Sequence, residues 1–140
     1  MSERHRLVHA LDERLIEQLH SLYRGEWWSN GRSLEETRRC VAGSQLCFAL
    51  LDEADQLLAF TRVLTDFIFK AVIFDVIVAP AHRGQGLGDE LMQHVLQHER
   101  LRQVRHVELY CLPEMFAWYR RHGFSDEVGA VRLMRRISPA

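Results

Sequence analysis

The chain is short of everything that would place it outside ordinary soluble proteins. No apolar run approaches the ~20 residues that a membrane-spanning helix needs. Its start, MSERHRLVHALDERL, has no apolar signal core. Cysteines number only three, Cys40, Cys47 and Cys111, with no C-x-x-C pair. That count argues against a disulfide framework or a zinc site and for a reducing compartment. Three prolines leave no Pro-rich linker. The 18 basic and 19 acidic side chains give a net charge of −1, so no overall field draws the chain to nucleic acid or an anionic membrane. The expectation is one domain over residues 1–140, cytoplasmic, with neither nucleic acid nor membrane as partner; a homodimer is compatible.

What is present alternates between helical and strand periods. His5 to His9 reads as a short edge strand. DERLIEQLHSLYR carries Leu15, Ile16, Leu19, Leu22 and Tyr23 at helical spacing. GEWWSNGRS breaks the pattern, and Ser33 with Glu36 three residues on is a helix-start signal. LCFALL (Leu46 to Leu51) and LLAFTRVL (Leu57 to Leu64) read as a hairpin across the polar DEADQ. AVIFDVIVA (Ala71 to Ala79) is apolar almost throughout, as a strand buried on both faces would be. A helix with Leu87, Leu91, Met92, Val95 and Leu96 on one stripe follows, then the alternating strand VRHVELYC (Val104 to Cys111). PEMFAWYRRHG reads as a short helix with Pro113 in its first turn and Gly123 at its end. A last strand is expected over about Val128 to Ile137. The middle is a β–α–β crossover with hairpin strands before it: an α/β domain with a mixed sheet.

The junction VAPAHRGQGLGDELM carries the strongest signal. Amides at a helix start lack intrahelical partners and sit at the positive end of the helix dipole. Glycines let phosphate oxygens reach them, and a guanidinium such as Arg83 adds a fork of donors. A dinucleotide loop needs G-x-G-x-x-G near the start of a doubly wound domain; here Asp89 holds the third glycine's place and too little chain follows. A P-loop needs Lys then Ser or Thr after its last glycine, which this loop lacks. A bare turn would not call for three glycines and an arginine.

VAPAHRGQGLG resembles the acyl-CoA loop of the GNAT superfamily of N-acetyltransferases, Val-x-Pro-x-x-Arg-Gly-x-Gly-Ile/Leu-Gly. Val78, Pro80, Arg83, Gly84, Gly86, Leu87 and Gly88 match without a gap. Downstream, WYRRHGF resembles the family's aromatic-Tyr-x-x-x-Gly-Phe segment through Trp118, Tyr119, Gly123 and Phe124. The family's usual Asn seven residues before that Tyr is here Leu112, and the small residue four before it is Met115.

The resemblance implies a GNAT-like fold: one mixed, twisted sheet of six or seven strands, splayed parallel strands at its centre, about four flanking helices. It implies acetyl-CoA as co-substrate and no metal. Pyrophosphate would rest on Arg83, Gly84, Gln85, Gly86, Leu87, Gly88 and Asp89, and the pantetheine arm on the edge of Val76, Ile77 and Val78. A backbone N–H of that edge would serve the oxyanion. Tyr119 would protonate the thiolate leaving group, since a phenol is protonated at neutral pH.

The acceptor side is less defined by sequence. Asp75 is the one charged residue in an apolar strand; it is either a base for the amine or a structural carboxylate paired with an arginine. Trp27 and Trp28 are candidates to stack on an acceptor or to anchor their connector. Glu108 and Tyr110 share one face of the next strand, and Asp66 and Glu114 add acidic candidates for a cationic acceptor. His94 and His98 stand one helical turn apart, but a third ligand is not evident. Cys111 reads better as a packing residue than as an acyl carrier. The expected activity is acetyl transfer from acetyl-CoA to a small-molecule, peptide or protein amine by direct attack; the other class is a silent acyl-CoA-binding module.

Overall fold

The computed structural model describes residues 5–139. These fall into two compact units, one reaching to Tyr110 and the other beginning at Cys111.

In the first unit, helices start where side chains replace missing backbone partners. Helix α1 (Glu13–Arg24) begins at Asp12, whose carboxylate accepts from the Leu15 amide at 2.9 Å. Helix α2 (Leu34–Ala42) begins with a reciprocal capping box between Ser33 and Glu36. Strand β1 (Arg6–Val8) is the sheet's first edge; β2 (Leu46–Leu51) and β3 (Leu57–Thr65) form the hairpin that alternation predicts. Strand β4 (Lys70–Val78) pairs antiparallel with β3, and β5 (His106–Leu109) pairs parallel with β4. The order is β1-β2-β3-β4-β5.

Helix α1 covers one face: Leu15, Leu19 and Tyr23 pack on Cys47, Ala49, Phe60 and Ile77. Helix α3 (Leu87–Gln97) buries Leu87, Leu91, Met92 and Val95 on the other, over Val63, Ala71 and Ile73. At ~25 cal/mol per Å² of apolar surface, these two packings are the main stabilising term.

Strand β4 corrects an expectation. Its continuous apolar run predicts burial on both faces, yet only Ala71, Ile73 and Ile77 are buried. Val72 and Phe74 are half exposed, because the cover that α1 and α2 give to β2 and β3 stops short of them. The run is apolar on a face that is open.

Strand β4 also carries a β-bulge. The register passes from Phe60 opposite Ile77 to Arg62 opposite Phe74, so Thr61 faces both Asp75 and Val76. Asp75 takes φ +59°, a left-handed conformation that most side chains avoid but Asp tolerates.

In the second unit, a 3-10 turn (Pro113–Met115) leads into α4 (Phe116–Arg120). The chain then reverses at Gly123, whose φ of +92° suits glycine. The strand expected over Val128 to Ile137 is absent: the segment joins no ladder, and Val131, Leu133, Met134 and Ile137 are exposed. Alternation supplies a face but a strand exists only through its ladder partner. Five strands are therefore present among the described residues rather than six or seven.

Candidate active site

The β4–β5 ladder runs from Lys70 beside His106 to Ile73 beside Leu109 and ends there. Beyond that point Phe74 to Val78 continue on β4 and, among the described residues, pair only with β3. The two parallel strands thus part at their C-terminal ends, at the bulge, as the expected splay requires. The edge of Val76, Ile77 and Val78 faces the gap, and a ligand can satisfy such an edge as an added strand would.

The glycine loop follows directly. Pro80–His82 make a 3-10 turn, Gly84 has φ +78°, and Gly86 caps α3 with φ +81°. The Glu90 amide bonds to the Gly86 carbonyl at 3.0 Å. Among the described residues, the amides from Gln85 to Gly88 donate to no backbone carbonyl. A β-carbon at Gly84 or Gly86 would meet nothing within 4 Å, so space is open above the loop. His82 Nδ1 is buried without a hydrogen-bond partner among the described residues. An open amide cradle at a helix start fits a pyrophosphate.

Arg83 is already engaged. Its Nε donates to the Val78 carbonyl at 3.1 Å, and its Nη2 pairs with Glu26 at 2.5 Å. Glu26 comes from the α1–α2 connector and was not singled out by sequence; an acid after a helix's terminal glycine carries no signal of its own.

Asp75 is held on all sides. Its Oδ2 accepts from Tyr23 Oη at 2.9 Å, Arg32 Nη1 at 2.7 Å and Arg62 Nε at 2.7 Å, and its Oδ1 from Arg32 Nη2 at 3.2 Å. Burial raises the carboxyl's pKa, but the two guanidiniums outweigh it and hold it below the usual aspartate range. A carboxylate so stabilised is a weak base. Burial and the Asp75 charge push the Tyr23 hydroxyl far upward, so it donates at any physiological pH. Arg32 and Arg62 also went unrecognised in the sequence, where one lies in a loop and the other in a strand otherwise read for its apolar face.

Of the other acceptor-side candidates, Glu108 and Tyr110 lie beside the half-exposed Val72 and Phe74. Arg62, Phe74 and Tyr110 form a row: the guanidinium lies 5.0 Å from the Phe74 ring centre, and Tyr110 meets Phe74 edge-on at 5.9 Å. Glu108 pairs with Lys70 at 2.9 Å. Trp28 is anchored edge-on to Tyr23 at 6.1 Å, whereas Trp27 is 70% exposed. Asp66 does not join this group; its Oδ1 closes the β3–β4 turn on the amides of Ile68, Phe69 and Lys70. The His98 ring packs against His9 and Phe48.

The second unit holds Tyr119, 9% exposed, with Trp118 at 4.8 Å and Phe124 at 6.0 Å. Burial, with a smaller effect of Cys111, pushes its hydroxyl up to about 12. Burial also raises the Cys111 thiol, which keeps it from being a thiolate nucleophile. Glu114 lies in this unit's 3-10 turn.

A parallel strand pair that parts at a bulge, with a glycine-rich helix start at the end of the first strand, is the arrangement of the GNAT fold. The Acetyltransferase (GNAT) family model matches residues 12–124, and the chain belongs to that family. It is 32% identical over 106 residues to serotonin N-acetyltransferase 2, chloroplastic, of Oryza sativa subsp. japonica, covering 74% of this chain and 53% of that protein. It is 27% identical to an uncharacterized N-acetyltransferase of Porphyra purpurea, over 74% and 61% of the respective lengths. The chain thus spans between half and two thirds of these curated relatives. Among solved structures, a GNAT-family acetyltransferase of Xanthomonas campestris pv. campestris superposes with TM-score 0.82 and 29% identity, covering 97% and 94% of the two chains. A structure described as an acetyltransferase from Deinococcus radiodurans R1 gives 0.77 at 27% identity, covering 96% and 94%.

Proposed function

We propose that this protein is an acetyl-CoA-dependent N-acetyltransferase whose acceptor amine binds on the open strip of the sheet and attacks the thioester directly. The observation that carries the reading is the end of the β4–β5 ladder at Ile73, together with a glycine loop whose amides from Gln85 to Gly88 donate to no backbone carbonyl among the described residues. Acetyl-CoA supplies the acetyl group as an activated thioester. The amides of Gln85 to Gly88 and the Arg83 guanidinium hold its phosphates, and the edge of Val76, Ile77 and Val78 orients its arm and polarises the carbonyl.

Transfer forms one bond and breaks one. The neutral amine nitrogen bonds to the carbonyl carbon, and the carbon–sulfur bond gives its electron pair to sulfur. Tyr119, kept protonated by burial, donates to that sulfur and regains a proton from solvent. The amine's own proton leaves through water on the open strip. Asp75 acts by position: it locks the bulge that parts the strands and ties down the connector through Arg32.

A thiol-release assay with an amine panel, run beside thermal melting, tests this. Acetyl-CoA at ~100 times its Kd should add ~2.7 kcal/mol of stability. Free thiol should appear only when a suitable amine is present. A stabilised protein that turns over no amine would instead be an acyl-CoA-binding module, and the absence of any melting shift would overturn the reading.

A further inference from the structure

The cluster around Asp75 is not electrically balanced. One carboxylate, 6% exposed, is shared by two guanidiniums that are 29% exposed at Arg32 and 13% at Arg62. No other carboxylate lies within ion-pair distance of either arginine among the described residues. Glu36 feels Arg32 only weakly: it is fully exposed, and its Oε1 is taken by the Ser33 amide. The remaining neighbours carry no carboxylate: the Tyr23 and Trp28 rings under Arg32, the Phe74 ring and Ser44 hydroxyl near Arg62, and the Cys40 side chain, which both arginines feel. One positive charge is left over in a half-buried place, which is costly unless an anion answers it.

Its location makes that charge informative. Arg62 stands opposite Phe74 across the β3–β4 ladder, on the face that α1 and α2 leave open. Phe74 is the first residue beyond the end of the β4–β5 ladder, and Tyr110 packs on it. An acceptor lying on Phe74 and Tyr110 would have the strand gap on one side and the guanidiniums on the other. The surplus is a single charge. A carboxylate matches it, whereas a phosphate dianion would overshoot it.

Resting on the N-acetyltransferase reading above, we propose that the acceptor is an amino carboxylate, held by its carboxylate at Arg32 and Arg62, with its side chain against Phe74 and Tyr110 and its amine presented to the strand gap. Arg32 and Arg62 are then specificity-determining residues. Their planar donors grip a carboxylate, and Asp75 keeps them from collapsing onto the gap.

The test compares each acid with its decarboxylated amine: 5-hydroxytryptophan with serotonin, phenylalanine with phenethylamine, leucine with isoamylamine. Values of kcat/KM are corrected for the fraction of unprotonated amine. The acids should be favoured at least tenfold, and 1-aminoethylphosphonate should be poorer than alanine. Arg32→Gln should bring each acid-to-amine ratio within twofold of one while the acetyl-CoA melting shift is kept; Arg62→Lys should reduce the ratio with the charge retained. Calorimetry of phenylalanine and phenethylamine with the coenzyme A-saturated protein gives a readout independent of turnover. Selective binding of the acid, lost in Arg32→Gln, without any turnover supports the carboxylate site and overturns the enzyme reading. Turnover with equal or better use of the amines overturns the carboxylate site and leaves the enzyme reading intact. A preference for the acids unchanged in both arginine variants, or neither turnover nor binding of any acid, overturns the site.

Discussion

The Tyr23 hydroxyl donates to Asp75 Oδ2 at 2.9 Å, joining the first helix to the bulge that parts the two parallel strands. Both residues also touch Arg32, one through its ring and the other through its carboxylate. Helix, connector and bulge therefore share one buried polar knot, whose hydrogen bonds converge on the Asp75 carboxylate.

Removing the carboxylate should undo that knot. Asp75→Asn leaves two half-buried guanidiniums facing no anion, and breaking a buried pair in this way costs about 3–5 kcal/mol. Tyr23→Phe removes one neutral donor and should cost about 1 kcal/mol. Chemical denaturation of the three proteins at neutral pH checks the order. The pH dependence follows from the lowered pKa of Asp75. Its folded value lies below its unfolded one, so its stabilisation is complete above the unfolded value of about 4 and fades as pH falls through the folded value. The gap in stability between wild type and Asp75→Asn should thus be flat from pH 7 to about 5 and narrow below about 4. A gap that widens in acid would contradict the pairing.

Glycine at the helix start should be replaceable in the fold but not in the site. Gly86→Ala forces a β-carbon onto a residue at φ +81°, at a cost of about 1–2 kcal/mol, and meets no neighbouring atom. The protein should fold, with a modestly lower Tm. The added methyl nevertheless stands in the space above the loop amides, and acetyl-CoA affinity should fall at least tenfold. Isothermal titration separates the effects: a lower Tm with unchanged Kd would move the cofactor away from this loop.

How much of this was legible beforehand follows the physics of each feature. The glycine loop, Pro80 and Arg83 could be read because helix-start anion binding needs those residues in one short stretch of chain. The hairpin and the helices could be read because period and capping are local. The Asp75 knot could not, since Tyr23, Arg32 and Arg62 are brought to it by the fold from 13 to 52 positions away. A lone Asp in an apolar strand marked only that some partner was needed. The openness of β4 was misread for a related reason. An apolar run reports what a face can bury, and whether a helix reaches that face depends on how far α1 and α2 extend. The missing last strand is the converse case, an alternating pattern without a ladder.

Tyr119→Phe tests the proton donor. The substitution keeps the ring contacts with Trp118 and Phe124 and deletes only the hydroxyl. Loss of a general acid typically costs 10²–10⁴-fold, so kcat should fall by at least about 100-fold with the Kd for acetyl-CoA within twofold. The raised pKa fixes the shape of the wild-type profile. A donor that titrates at about 12 is protonated below that value, so Tyr119 should impose no falling limb up to pH 10. The rising limb should follow the pKa of the acceptor amine and shift when the amine is changed. A falling limb near pH 8 or 9 that disappears in Tyr119→Phe would contradict the buried, protonated phenol.

The Arg83–Glu26 pair makes a prediction of the opposite sign, a gain. The phosphates would have to draw Arg83 away from a carboxylate that is 21% exposed and belongs to the connector. Glu26→Gln removes the competitor and leaves the guanidinium with its bond to the Val78 carbonyl. Because the arginine is 52% exposed, the pair is screened and worth at most about 1 kcal/mol, which bounds the gain in acetyl-CoA affinity at about fivefold. Added salt weakens such an exposed pair in the wild type, but it also weakens the attraction of Arg83 for phosphate. Titrations of both proteins across a salt series separate these effects, since only the wild type carries the competing pair. The affinity ratio should be largest at low salt and approach one as salt rises. Weaker binding by Glu26→Gln at low salt would mean that Glu26 holds Arg83 in place for the phosphates rather than away from them.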